Sequence, residues 1–146
     1  MKLINFELER PFESISVKGL GYEWNLHNCA DFLGFDFDAK DNSLSLTWDA
    51  SSPQGTTWDG RPKNESKGCK LIFRNVTFLH LSPRDEAYPR SEDWCVSGIS
   101  KAIPNTSEYR FKAEWNAGEE FNLLFEFQSE RSLEIGAESA ELQVVS

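Results

Sequence analysis

The stretch DFLGFDFDAKDNSLSLTWD, residues 31 to 49, places five aspartates among nineteen residues. Three readings compete for it: a cation-binding loop, a pair of catalytic carboxylates, or a β-hairpin with one wet face. An EF-hand loop beginning at Asp36 would put Lys40 at the fifth ligand position and Thr47 where a bidentate Glu is required, so the spacing fails twice. Carboxylates that hydrolyse glycosides need a set separation across a cleft, which nothing in this stretch supplies. The hairpin accounts for the alternation. Phe35 and Phe37 interleave with Asp36 and Asp38, which predicts phenyl rings toward a core and both carboxylates toward water. After the turn AKDN, the residues Leu44, Leu46 and Trp48 form the returning inward face.

The same period of two recurs along the chain. EYRFKAEWN sets Tyr109, Phe111, Ala113 and Trp115 on one face, and EFNLLFEFQ does so with Phe121, Leu123, Phe125 and Phe127. The link NAGEE between them suits a hairpin. Leu133 and Ile135, then Leu142 and Val144 beyond GAES, complete an expected four-strand meander. Nearer the N-terminus, Ile4, Phe6 and Leu8, then Ile15 and Val17, then Tyr22, Trp24 and Leu26 fit shorter strands, broken at Pro11 and at the Gly19 and Gly21 pair. In KLIFRNVTFLHLSP the apolar phase shifts at Asn75, which predicts a bulge or bend near Arg74 and Asn75. SEDWCVSGISK allows one short helical turn, and no window keeps a helical period over a full helix length. The expected fold is all-β: a single domain over residues 1 to 146, an antiparallel sandwich or partly rolled sheet of about eight to ten strands. Two long loops, residues 50 to 68 and 82 to 93, interrupt it.

Composition narrows the partners. The chain of 146 residues is 39% hydrophobic and carries eleven Phe and five Trp, enough for a packed core without a structural metal. Its net charge of -9 is uneven: -5 over residues 1 to 50, +2 over 51 to 106 and -6 over 107 to 146. Such a surface repels nucleic acid and anionic lipid and steers a basic protein partner inward. With no secretory h-region and no apolar span of membrane length, the chain reads as cytoplasmic. Cys29, Cys69 and Cys95 are odd in number and far apart, which predicts free thiols rather than a disulfide framework. The triplets at Asn64, Asn75 and Asn105 carry no glycosylation argument without a signal peptide. Free edges of an antiparallel sheet also leave room for a homodimer.

Chemistry-bearing motifs are sparse. His27 and His80 belong to no zinc-ligand spacing, and no glycine-rich loop follows a strand, so no metal and no cofactor are expected. The aromatics say more. Trp58 stands in TTWDGRPK beside an Asp-Gly turn, Arg61 and Lys63, where an indole can stack on a sugar or anchor a protein contact. Tyr88, near Arg84 and Arg90, invites the same role. A recognition surface is therefore expected at Trp58, Asp59, Arg61 and Tyr88, with Asp36 and Asp38 as acidic contacts. An enzyme would instead require some of Asp31, Asp36, Asp38, His27 and Cys29 to converge in a pocket, as in a hydrolase using Asp and His groups. A β-sandwich binding a carbohydrate or small ligand is the remaining alternative.

The order of LHNCADFLGFDFDAKDNSLSLTW, LIFRNVTFLHL and RSLEIGAESAELQVV resembles small all-β bacterial proteins of the immunity type, which accompany polymorphic toxins. The matching positions are His27, then Leu71, Phe73 and Val76, then Ile135, Ala137, Leu142 and Val144. Where those families often set an aspartate after the early histidine, this chain has Asn28. The resemblance implies tight, non-catalytic binding of a toxin.

Overall fold

The computed structural model describes residues 1–50, 68–106 and 110–145, the side chain of Ala50 excepted. Over these residues the chain forms ten strands: β1 (Lys2–Ile4), β2 (Glu7–Leu8), β3 (Ser16–Gly19), β4 (Tyr22–Asn25), β5 (Ala30–Asp38), β6 (Ser43–Ala50), β7 (Cys69–Leu81), β8 (Val96–Ala102), β9 (Asn122–Phe127) and β10 (Ser132–Val144). A short 3-10 helix, Arg90–Trp94, precedes β8 where the sequence allows a helical turn. The fold is all-β. No helix among the described residues is long and apolar enough to cross a membrane.

The main sheet runs β5-β6-β7-β10-β9-β8 and is antiparallel, with β1 joining β10 in parallel. The hairpin of residues 31 to 49 is β5 and β6, paired from Ala30↔Ala50 to Asp38↔Ser43. The sheet curls until its two halves meet through aromatic rings: Phe32 of β5 lies 5.1 Å from Phe127 of β9 and 5.2 Å from Trp48. Trp48, Phe73 and Phe125 fill the interior with Leu46, Leu71 and Leu142, all effectively removed from solvent. Faces like these, alternately apolar and polar, gain stability only when such a curl or a second layer covers the apolar side.

A second sheet, β2-β3-β4, supplies part of that cover. Val17, Trp24 and Leu26 point into the common core, and the Trp24 indole donates to the Gly19 carbonyl at 2.9 Å. Gly19 is required there: a Cβ would sit 2.0 Å from the Asn5 carbonyl oxygen. The phase shift in β7 is also realised. Asn75 takes a left-handed backbone (φ 54°), and the register against β10 slips between Gly136 and Ala137, opposite Phe78 and Val76, so that Thr77 is the extra residue. Asn42 in the β5–β6 turn clamps this bend, exchanging hydrogen bonds with the backbone of Val76.

Two expectations need correction. Arg110 to Phe121 form no strand: Phe111 and Ala113 are exposed, and Trp115 is only half-buried, edge-on to Phe121 at 5.5 Å. The reason is that β9 already has β10 on one side and β8 on the other, which leaves no vacant ladder beside it for the alternating segment. The expected turn at GAES is absent too, because β10 runs through it as one thirteen-residue strand against the equally long β7.

Candidate functional site

Strand β5 closes one end of the main sheet and, among the described strands, pairs with β6 alone. Phe35 and Phe37 stand opposite Leu46 and Leu44, hence on the inner face, but they are 41% and 44% exposed, with little from the described residues over this corner of the sheet. Their alternation with Asp36 and Asp38 predicts both rings in the core, and the structure leaves them open. The curl that partly buries Phe32 does not extend over them among the described residues. A bulge at Leu33, where Gly34 adopts φ 125°, pushes Leu33 outward to 63% exposure. Beside it, Phe32, Phe35, Leu81, Trp94 and Phe127 line an open groove of about 290 Å³.

Asp36 and Asp38 occupy the other face of β5, both exposed as expected. Asp38 also shapes the turn, since its Oδ1 accepts the amides of Lys40 at 2.9 Å and Asp41 at 3.2 Å. The result is an edge strand with aromatic rings on one side and carboxylates on the other.

The segment bearing Tyr88 is braced rather than loose. Arg84 donates to Asp93 at 2.6 Å and to the Tyr88 carbonyl at 2.7 Å. Burial alone would raise the Asp93 carboxyl, but the hydrogen bond from Arg84, the nearby Ser129 hydroxyl and the charges of Arg84 and Arg131 together more than offset it, so this carboxyl lies below the usual range. The neighbouring Glu130, with some burial and the carboxylates of Asp85 and Glu92, pushes the Tyr88 phenol up. This brace carries Trp94, 44% exposed, to the rim of the groove beside β5. Trp58, Asp59 and Arg61 lie outside the described residues.

The histidines go elsewhere. His27 Nδ1 is 2.7 Å from the Val96 carbonyl oxygen, an acceptor only, so this nitrogen carries the proton and donates it. Cys95 Sγ lies 3.5 Å from the same nitrogen, which is therefore unable to take the thiol proton. Burial, followed by the charges of Asp31 and Glu92, pushes the Cys95 thiol up. Burial does the same at Cys29 and, more strongly, at Cys69. These are features of packed thiols rather than nucleophiles. No group of three or more His, Cys, Asp or Glu among the described residues is placed to hold a metal ion.

One cluster has no signature in the sequence. Glu134 of β10 points away from the core, but its side chain is only 8% exposed, because Arg110 from the irregular segment lies over it in an ion pair. Asn122 Nδ2 donates to the same carboxylate at 2.9 Å, and His80 is its neighbour across the ladder. Gly136 leaves the space this needs, since a Cβ there would meet Asn122 Oδ1 at 2.6 Å. The adjoining open cavity, about 620 Å³, is lined by Arg110, His80, Glu126, Glu130 and Glu134 among others. Alternation alone marks Glu134 as a solvated outward residue; only its cover makes it buried.

Compared with known proteins, the chain matches no family model, no curated protein and no solved structure.

Proposed function

We propose that this chain is a non-enzymatic protein-binding module, a bacterial cytoplasmic protein of the immunity type, and that the β5 corner is its docking surface. The observation that carries this reading is the concentration of exposed large hydrophobics there: Leu33, Phe35, Phe37 and Trp94, three of them bordering one groove. Apolar side chains gathered at a sheet edge are unfavourable in an isolated protein and mark a surface that gains from being covered. Asp36 and Asp38 on the opposite face, within an N-terminal third of net charge -5, favour a basic partner. An aromatic anchor of this kind contributes about 2 kcal/mol when fully desolvated at an interface.

The reading requires a toxin gene beside this one, and the test is a growth assay with its product. Cells producing that toxin should grow when the protein is co-expressed and fail to grow with the Phe35→Ser/Phe37→Ser variant, provided its melting transition stays close to that of the parent. Equal protection by the variant, or no protection by the parent, defeats the reading. A second reading, a small polar ligand in the cavity at Arg110 and Glu134, is favoured by the buried carboxylate there. Ligand-observed NMR with neutral and amino sugars tests it, and signals unchanged by Glu134→Gln would dismiss it.

A further inference from the structure

The path β5-β6-β7-β10-β9-β8 through the main sheet ends in two terminal strands, and among the described residues only β8 is sealed. Along β8, Ser14 and Ile99 exchange both backbone hydrogen bonds, at 2.9 and 2.7 Å, and the Lys101 amide donates to the Pro11 carbonyl at 2.6 Å. Glu13, between them, donates its amide to Ser100 Oγ at 2.9 Å, while Arg10 donates to the Glu13 carbonyl. Residues 11 to 14 thus act as a strap over the β8 edge. Along β5, no described strand pairs with the side facing away from β6. Beyond the bulge at Leu33, Phe35 to Asp38 form a regular run whose outward amides and carbonyls pair with no described strand.

We propose that β5 receives its partner by strand addition: an extended segment with basic residues at alternate positions pairs with the edge of Phe35 to Asp38, setting its basic side chains beside Asp36 and Asp38 and its apolar side chains beside Phe35 and Phe37. Three observations converge on this mode. The edge supplies backbone donors and acceptors, which give affinity without sequence preference. The period of two in a bound strand matches the two-faced chemistry of β5, so that alternate side chains of the partner meet carboxylates and rings in turn. Charge selects the occupant, because a second copy of β5 laid antiparallel on the first would bring Asp36 and Asp38 of one chain against those of the other. A segment carrying Lys or Arg removes that repulsion and reverses its sign.

This inference rests on the β5 corner being the docking surface, and its test separates the two. The probe is a synthetic peptide as long as β5 in which lysine and valine alternate. Its controls are the glutamate and valine counterpart and the lysine and valine peptide N-methylated on the amides of either face in turn. The lysine peptide should bind, more weakly as salt rises, and should slow hydrogen exchange at the β5 amides that face away from β6. Asp36→Asn/Asp38→Asn should weaken it about tenfold, the worth of two cross-strand charge pairs. N-methylation of the pairing face should abolish binding.

Strand addition is overturned if the lysine peptide does not bind, if the glutamate peptide binds as tightly, if neither N-methylated form loses affinity, or if the β5 amides exchange as before. A dimer of the protein in sedimentation equilibrium that Phe35→Ser disperses would make the occupant a second copy and also overturn it. If the peptide fails while the growth assay still depends on Phe35 and Phe37, the docking surface stands and strand addition alone is lost. If the peptide binds Phe35→Ser/Phe37→Ser undiminished, the aromatic reading of the surface is lost and strand addition stands.

Discussion

The two ends of the main sheet differ in the size of their side chains. At the sealed end, Ser14, Ser16, Gly98 and Ser100 are all buried, and a Cβ on Gly98 would come within 3.3 Å of the Glu13 Cα. At the open end stand Leu33, Phe35 and Phe37, with Asp36 and Asp38 between them. A strap can approach a strand closely only where the side chains are small, and the short hydroxyls then supply the bonds that backbone pairing leaves out. At the other edge the side chains are large and exposed, and no described segment straps it. Sealing by residues 11 to 14 thus solves an exposed edge within the molecule, whereas no described strand covers the outer side of β5.

Removing what holds both ends together should have the largest effect. Phe125 is fully buried against Trp48 and Phe73, so Phe125→Ala should cost about 4 kcal/mol in chemical denaturation. Hydrogen exchange should then quicken at both edges together. A loss under about 1 kcal/mol would mean that the two halves of the curl are not joined through this ring.

The next effect falls on one end alone. Gly98→Val forces a branched side chain against the Glu13 backbone and should cost about 2 kcal/mol by overpacking. Amide exchange at Ile99 and Lys101 should rise while that of β5 stays unchanged. Coupled loss at β5 would show that the two edges are not independent.

A smaller effect concerns the brace that carries Trp94 to the open end. The folded Asp93 carboxyl is depressed below its unfolded value, so it binds fewer protons than the unfolded chain near that value. Its contribution is therefore complete at neutral pH and disappears as pH falls from the ordinary carboxylate range through its lowered pKa. Asp93→Asn should flatten the acid side of the stability profile measured by thermal melts. A profile as steep as the parent's would assign that acid dependence to other carboxylates.

The smallest effect on the fold is expected at the open edge. Phe37→Ser removes a ring already 44% exposed and should cost no more than about 1 kcal/mol. A loss comparable to Phe125→Ala would place Phe37 in the core and weaken the contrast between the two ends.

Much of the architecture was legible because strand alternation is a local property. The hairpin at residues 31 to 49, the strand through EFNLLFEFQ and the break in phase at Asn75 all follow from the period of two and its interruption. The exposed carboxylates of Asp36 and Asp38 were legible for the same reason. Legibility failed where the outcome depends on what lies alongside. EYRFKAEWN alternates as well as any strand in the chain, but β8 and β10 already occupy both sides of β9.

Amino-acid order therefore determined the class of structure, the faces of most strands and the acidic character of the surface, since these depend on backbone geometry and side-chain type. Tertiary structure decided which faces are covered. It left Phe35 and Phe37 open, buried Glu134 beneath Arg110, and aimed His27 at a carbonyl rather than at a thiol. Cover is a matter of contacts between residues distant in the chain, as with Ser14 against Ile99 or Phe32 against Phe127, and no local pattern encodes which of two equally apolar faces will find a neighbour.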